Sequence, residues 1–281
     1  MAVPLFKPSI FEESPHQGYN DGMTIRVLSF NIRCAAAQDG PQSWEARRGL
    51  VIERIRAFNP DLIGMQECED NAQAEFVRQN LPDYAIFGVR RSADPGPGRE
   101  MAPVLYRQSA FERLDQGVFW LSRTPEKPGS LDWGAVFPRT VTWVRLRPIA
   151  EHDAVLTFFN THFDYATSLA RLRSAQLLNR RMAQIAPTGL RLLSGDFNAG
   201  KDSSAYAALA AGGLMDPLHA AGVSGATFHD FGRLLNAPAG PNEIDWIFVS
   251  PLLTVSQAVI DRSQSGDVWP SDHFPVGVEV G

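Results

Sequence analysis

Short apolar, β-branched runs recur along this chain, and most stop abruptly at a carboxylate, a carboxamide or an imidazole. The run through Ile25, Val27 and Ser29 ends at Phe30-Asn31, and Asp61–Gln66 ends at Glu67. Val155–Thr161 runs into His162, and Leu190–Ser194 leads to Gly195-Asp196-Phe197-Asn198. Ile244–Val249 carries Asp245, and Asp272-His273 stand immediately before Phe274–Val280. A strand interior does not tolerate such groups unpaired, whereas strand ends can present them together into one cleft. Asn31, Glu67, His162, Asp196, Asn198, Asp245, Asp272 and His273 make a set of hard oxygen donors with two imidazoles. That is donor chemistry for Mg²⁺ or Mn²⁺, which keep waters for a substrate.

Between these runs the chain reads as helix and loop. Ser43 is placed to cap a helix from Trp44 to about Phe58, with an apolar stripe of Val51, Ile52, Ile55 and Phe58 and a stop at Asn59-Pro60. Further helices are expected over Asn71–Gln79, Leu169–Ile185 and Ser203–Ala211, and further strands over Ala102–Tyr106, Val118–Trp120 and Thr140–Leu146. Arg90–Arg99, with Asp94-Pro95-Gly96-Pro97-Gly98, reads as a flexible linker or lid, and Leu234–Asn242 as loop. Residues 1–22 read as an N-terminal arm before a single domain over 23–281. Strands that alternate with helices yet also run in succession indicate a mixed α/β sheet system. Several are apolar throughout, so both of their faces are buried.

Composition narrows the function. The formal net charge is −5, so no overall basic footprint for gripping long nucleic acid is present. The basic residues are almost all Arg; Lys occurs at Lys7, Lys127 and Lys201. Cys34 and Cys68 make neither a disulfide scaffold nor a Cys/His zinc set. No signal peptide and no run long enough for a membrane span is seen, so a cytoplasmic location is the default expectation.

The segments SFNIR, PDLIGMQE, NTHFD, GDFNA, IDWIFVS and SDHFPV together resemble the endonuclease/exonuclease/phosphatase superfamily, the deoxyribonuclease I-like fold, from Ile25 to the C-terminus. The resemblance implies a four-layer α/β sandwich, two packed mixed β-sheets flanked by helices. It implies that Glu67, with Asn31 and Asp272, holds the principal cation. Asp196 would orient or deprotonate the attacking water, with a second cation as an option, and Asn198 would contact the scissile phosphate. His273, paired with Asp245, would handle a proton or stabilise charge, and His162 would contact or protonate the phosphate. Whether Asp196 or His273 is the base stays open.

A narrower similarity, to a bacterial branch near the nocturnin and deadenylase group, rests on Glu100–Tyr106, Phe119–Ser122, Trp133-Gly134, Pro138-Arg139 and Thr227–His229. It places Glu100 and Arg139 near the cleft, where Arg139 would clamp a phosphate in a bidentate way. Arg33 stands where DNA-repair members carry an acid, and His162 where they carry Tyr, which argues against that branch.

Each residue also has a plainer reading. Asn31 alone is a turn former, Asp196 a turn residue, His162 a packed core histidine, and Asp272-His273 a surface loop. Glu100 and Arg139 are readable as a structural ion pair with each other, and His229 is open between lining the cleft and packing a loop. The expectation is a monomeric, metal-dependent hydrolase of phosphate esters, its partner a phosphorylated small molecule or short nucleic acid, with no stable protein partner. The alternatives are a phosphoinositide or sphingomyelin-type lipid phosphoesterase, for which no clear exposed apolar segment beside the cleft is seen, and a non-catalytic binding module on the same fold.

Overall fold

Alternation along each central strand builds the architecture. The computed structural model describes residues 24–281 apart from 95, 152–153 and 237; the expected N-terminal arm lies outside the described residues. Strand β1 is Ile25–Asn31, β2 Leu62–Gln66, β3 Cys68–Glu69, β4 Tyr84–Phe87, β5 Glu100–Met101, β6 Val104–Arg107 and β7 Phe111–Trp120. Then come β8 Thr140–Pro148, β9 Leu156–His162, β10 Leu190–Asp196, β11 Asp245–Val249, β12 Val255–Ile260 and β13 Val276–Val280. One sheet has the order β12-β13-β1-β2-β6-β4, and the other β11-β10-β9-β8-β7. Both are mixed: β1 pairs parallel with β2 and β9 with β10, while their other pairings are antiparallel.

Side chains one residue apart point to opposite faces, and three separate cores result. Leu28, Phe30, Ile63 and Met65 face outward from the first sheet onto helices α1 (Trp44–Phe58) and α2 (Ala72–Asn80). Phe159, Leu193, Trp246 and Phe248 face outward from the second onto α3 (Ser168–Ile185) and α4 (Ser204–Ala210). Val27, Leu62, Phe158, Leu192 and Ile247 meet between the sheets. The protein is therefore a four-layer α/β sandwich, helices outside and two sheets within.

The helix over Trp44–Phe58 forms as expected, and Asn59 closes it in a left-handed conformation with φ 53°. Ser43 occupies the cap position but its side chain makes no capping hydrogen bond. Asn71 does cap α2, accepting from Gln73 N at 2.8 Å. The segment expected as a linker over 90–99 instead folds back: Arg91 N donates to Glu100 O, and β5 pairs with β3. Leu234–Asn242 contains one short helical turn, Ala239–Asn242.

The inward faces change character along the strands. β1 passes from Ile25 and Val27 to Ser29 and Asn31, β9 from Phe158 to Asn160 and His162, and β10 from Leu192 to Ser194 and Asp196. A buried polar belt thus separates the apolar inter-sheet core from the strand ends. Its centre is Asn160, which donates to Met65 O at 2.6 Å and Pro103 O at 2.9 Å. It accepts from Gln66 Nε2 at 2.7 Å and Ser194 Oγ at 3.1 Å. The carboxamide has all four of its bonds filled and ties one sheet to the other.

The tie works because position 64 has no side chain. A Cβ there would overlap Ser194 Oγ and lie 2.5 Å from Asn160 Oδ1. Gly64→Ala is therefore expected to lower the unfolding free energy by about 2–3 kcal/mol through overpacking and lost belt hydrogen bonds. Urea unfolding measures this. A loss under about 0.5 kcal/mol would show that the sheets can part locally at no cost.

Candidate active site

The strand ends meet at one mouth of the sandwich. On the second sheet Asp196 sits between its register partners His162 and Asp245. On the first, Asn31 closes β1, and Glu67 follows β2 with φ 58°. A left-handed glutamate is strained. The strain turns its side chain out of the strand line, where Oε1 accepts from Asn31 Nδ2 at 3.1 Å and Oε2 from Cys34 N at 3.1 Å. Asn31 Nδ2 also reaches Asp196 Oδ2 at 2.9 Å, linking the two carboxylates across the sheets. Asn198, likewise left-handed at φ 48°, donates its backbone N–H to Asp196 Oδ1 at 2.9 Å.

These groups border a pocket of about 460 Å³. Glu67, Arg139, His162, Asp196, Asn198, Asp272 and His273 line it, while Asn31 and Asp245 stand behind that wall and hold its members. All nine residues singled out in the sequence are thus brought together. Glu67, His162 and Asp196 offer ligand atoms within 4.8 Å of one another, as do Asp196, Asp245 and His273. Asp272 contributes from the rim, its Oδ2 3.5 Å from Arg33 Nη1.

Crowding sets the electrostatics. Burial, reinforced by Asp245, pushes the Asp196 carboxyl up to about 7. Burial likewise raises Asp272, with Glu67 adding to the effect. For Glu67 burial acts upward too, but Arg33, His273 and its hydrogen bonds outweigh it and hold it below the ordinary carboxylate range. Burial opposes charge on His273, yet Asp245 and Asp196 prevail and lift its imidazole to about 10. Its Nδ1 lies 2.9 Å from Asp245 Oδ2 and its Nε2 3.7 Å from Asp196 Oδ2. His162 is driven the other way by burial, Arg139 and Arg91, well below 6.5. One imidazole is a standing cation and the other is neutral. Buried, mutually repelling carboxylates beside a neutral imidazole fit a hard divalent cation in both charge and donor type.

Among the lining residues that sequence reasoning misses are Arg91, Phe137 and Tyr165. Arg91 hides in the Pro/Gly-rich stretch, yet it is buried and its two Nη atoms reach Glu100 at 2.8 Å each. Glu100 therefore pairs with Arg91 rather than with Arg139. Phe137 lies beneath both arginines, 4.4 Å from the Arg91 Cζ and 5.9 Å from that of Arg139. Tyr165, half exposed, tilts against Phe137 with ring centroids 6.4 Å apart. Val136, Tyr165 and Leu169 leave an exposed apolar stretch next to the mouth that the sequence does not reveal.

Residues 28–273 match the model of the endonuclease/exonuclease/phosphatase family. The chain belongs to that family. Its structure is similar to a mannosyl-6-phosphatase of Bacteroides thetaiotaomicron, with 30% identity, TM-score 0.82, and 92% of this chain and 99% of that one covered. The human nocturnin catalytic domain shares the fold at 20% identity and TM-score 0.70, with 92% and 94% covered. A CCR4-Not complex 3'-5'-exoribonuclease subunit of Emericella nidulans is 27% identical over 152 residues, 48% of this chain. The chain spans 22% to 59% of the length of the first curated relatives it matches. The family, by its description, takes in endonucleases, exonucleases and phosphatases. Among the described residues no helix is long and apolar enough to cross a membrane.

His229 resolves toward packing. It is fully buried, stacks on Phe274 at 3.9 Å between ring centroids, and accepts from Gly232 N on Nδ1. Burial, with help from His273, keeps its imidazole down at about 3. The unfolded chain binds a proton near pH 6.5 that the folded chain refuses, so stability falls as pH drops below about 6.5. Relative to His229→Phe, the wild type should lose up to about 1.4 kcal/mol more per pH unit between pH 6 and 4. Parallel urea titrations at each pH measure it. Identical slopes would place a charged His229 in the folded protein.

Proposed function

We propose that this chain is a divalent-metal-dependent phosphoesterase acting on a phosphorylated small molecule, a nucleotide or a short nucleic acid. The observation that carries the reading is the convergence of Glu67, His162 and Asp196 within 4.8 Å at a pocket that Arg33, Arg91 and Arg139 also line. A net-negative chain that gathers three arginines around buried carboxylates has a place for a cation and, beside it, for an anion. The similarity to a mannosyl-6-phosphatase, at 30% identity over nearly the whole chain, agrees with a small phosphorylated substrate.

Glu67, Asp196 and Asp272, with Asn31 beside them, are the residues that would hold Mg²⁺ or Mn²⁺. When bound, such a cation neutralises phosphate charge and acidifies a water. The chain's own groups do the rest. Asp196, with its raised carboxyl and its hydrogen bonds from Asn31 and Asn198, orients the attacking water and takes its proton. His273, kept protonated by Asp245, places fixed positive charge where negative charge builds in the transition state. Neutral His162 and the Asn198 carboxamide contact phosphate oxygens, and Arg139 clamps them from beside His162.

Hydrolysis of p-nitrophenyl phosphate or its bis ester should require Mg²⁺ or Mn²⁺ and vanish with EDTA. Asp196→Ala and His273→Ala should each lower kcat by at least about 100-fold, roughly 3 kcal/mol of lost transition-state stabilisation, at unchanged secondary structure. Folded protein inert toward both esters with every divalent cation tested would make the chain a binding module. The exposed Val136–Tyr165–Leu169 stretch favours one second reading, a lipid phosphoester. Co-sedimentation with phosphatidylinositol phosphate or sphingomyelin liposomes would support it.

A further inference from the structure

Resting on the phosphoesterase reading, we infer that the pocket is shaped for the dianion of a phosphomonoester and discriminates against diesters, with Arg139 as the discriminating residue. Arg139 is 6% exposed. Its Nε is buried without a hydrogen-bond partner. Among the described residues no carboxylate lies within ion-pairing distance of it; the nearby Glu100 is already engaged by Arg91 through both Nη atoms. The Arg91 Nε is likewise buried and unpartnered. Both guanidiniums rest on the Phe137 ring, which fixes their planes. They line the main pocket together with a small recess that they share with His162, Glu100 and Thr140.

A buried guanidinium that no carboxylate of the chain pairs is suited to receive an anion, because buried charges are stable only when paired. The ester type that fills it follows from counting oxygens. A diester has two non-bridging oxygens that share one charge, and Asn198 and His162, with the cation that Glu67 and Asp196 would hold, would satisfy both. Its other two oxygens carry carbon. An ester carbon against Arg139 would exclude water from the guanidinium and leave it unpaired. A monoester has a third charged oxygen, and that oxygen is the partner Arg139 lacks. Arg91, bound to Glu100, is held in place to share it. The reaction is then ROPO₃²⁻ + H₂O → ROH + HPO₄²⁻. The water oxygen bonds to phosphorus, the ester P–O bond breaks, one water proton ends on the alcohol and the other stays with the phosphate.

The test compares wild type, Arg139→Ala, Arg139→Lys and Arg139→Gln on p-nitrophenyl phosphate and bis-p-nitrophenyl phosphate, with melting temperature as the folding control. The wild type should show kcat/KM at least tenfold higher for the monoester. Arg139→Ala should lower the monoester value at least tenfold more than the diester value. Arg139→Lys should recover part of that loss and the similarly sized but neutral Arg139→Gln should not. Calorimetric binding of inorganic phosphate and of dimethyl phosphate gives a readout free of turnover. The wild type should prefer phosphate at least tenfold, and Arg139→Ala should lose that preference. A diester preference in the wild type, or equal losses on both esters in Arg139→Ala, overturns the inference while leaving the phosphoesterase intact. If neither ester is hydrolysed, the phosphoesterase reading fails. The calorimetry then decides alone: a phosphate preference that depends on Arg139 sustains the dianion site, and its absence overturns it.

Discussion

Everything at the mouth of this sandwich hangs on the Asn160 carboxamide. Two stacked sheets packed by aliphatic contacts alone can slide, because dispersion and hydrophobic burial are non-directional. Asn160 supplies direction. It donates to two carbonyls of the opposite sheet's segment and accepts from Gln66 and Ser194, one partner from each sheet. Gln66 is the residue before Glu67, Ser194 lies two residues before Asp196, and Asn160 two before His162. On a strand, two residues is one step along the same face. Fixing the belt therefore fixes the three groups that converge within 4.8 Å.

That rigidity is what makes the electrostatic arrangement tolerable. Asp196, Asp245, Asp272 and Glu67 are too close and too buried to be comfortable as free carboxylates, and a pliant fold would relax by parting them. Here Asn31 bridges Glu67 to Asp196, and His273 lies between Asp245 and Asp196. The negative charge is offset by the His273 imidazolium and by Arg33. The strained Glu67 and Asn198 backbones belong to the same scheme: both depart from strand geometry where the chain must turn a side chain into the pocket.

Most of this is legible in the sequence because it obeys period two. The central strands announce themselves as apolar runs, and Asn31, His162 and Asp196 are the next inward positions after the belt residues Ser29, Asn160 and Ser194. The two-residue strands Cys68–Glu69 and Glu100–Met101 escape reading, as do Tyr84–Phe87 and Val255–Ile260, the two edges of the first sheet. Edge strands cover one face or none, so Val-Ser-Gln-Ala-Val-Ile carries no clean pattern. Gly64 and Asn160 pass unnoticed for a different reason. A glycine in a strand and an asparagine near a histidine have no local signature of the contact they make across 96 residues of sequence. Arg91 fails for a third: Pro and Gly around it promise a mobile loop, and its burial depends on Glu100 returning to meet it.

The same contrast explains why whole-chain charge is a poor guide to this site. A net charge of −5 argues against a long polyanion held along a surface. It says nothing about an anion held in a pocket, where a few buried cations act at low dielectric and at short range. Arg91 and Arg139 are hidden from solvent and stacked on one phenylalanine, so their field is delivered inside the cleft and contributes little outside it. Burial separates this local field from that of the whole chain, and a chain of negative net charge can therefore still present concentrated positive charge at the bottom of a pocket.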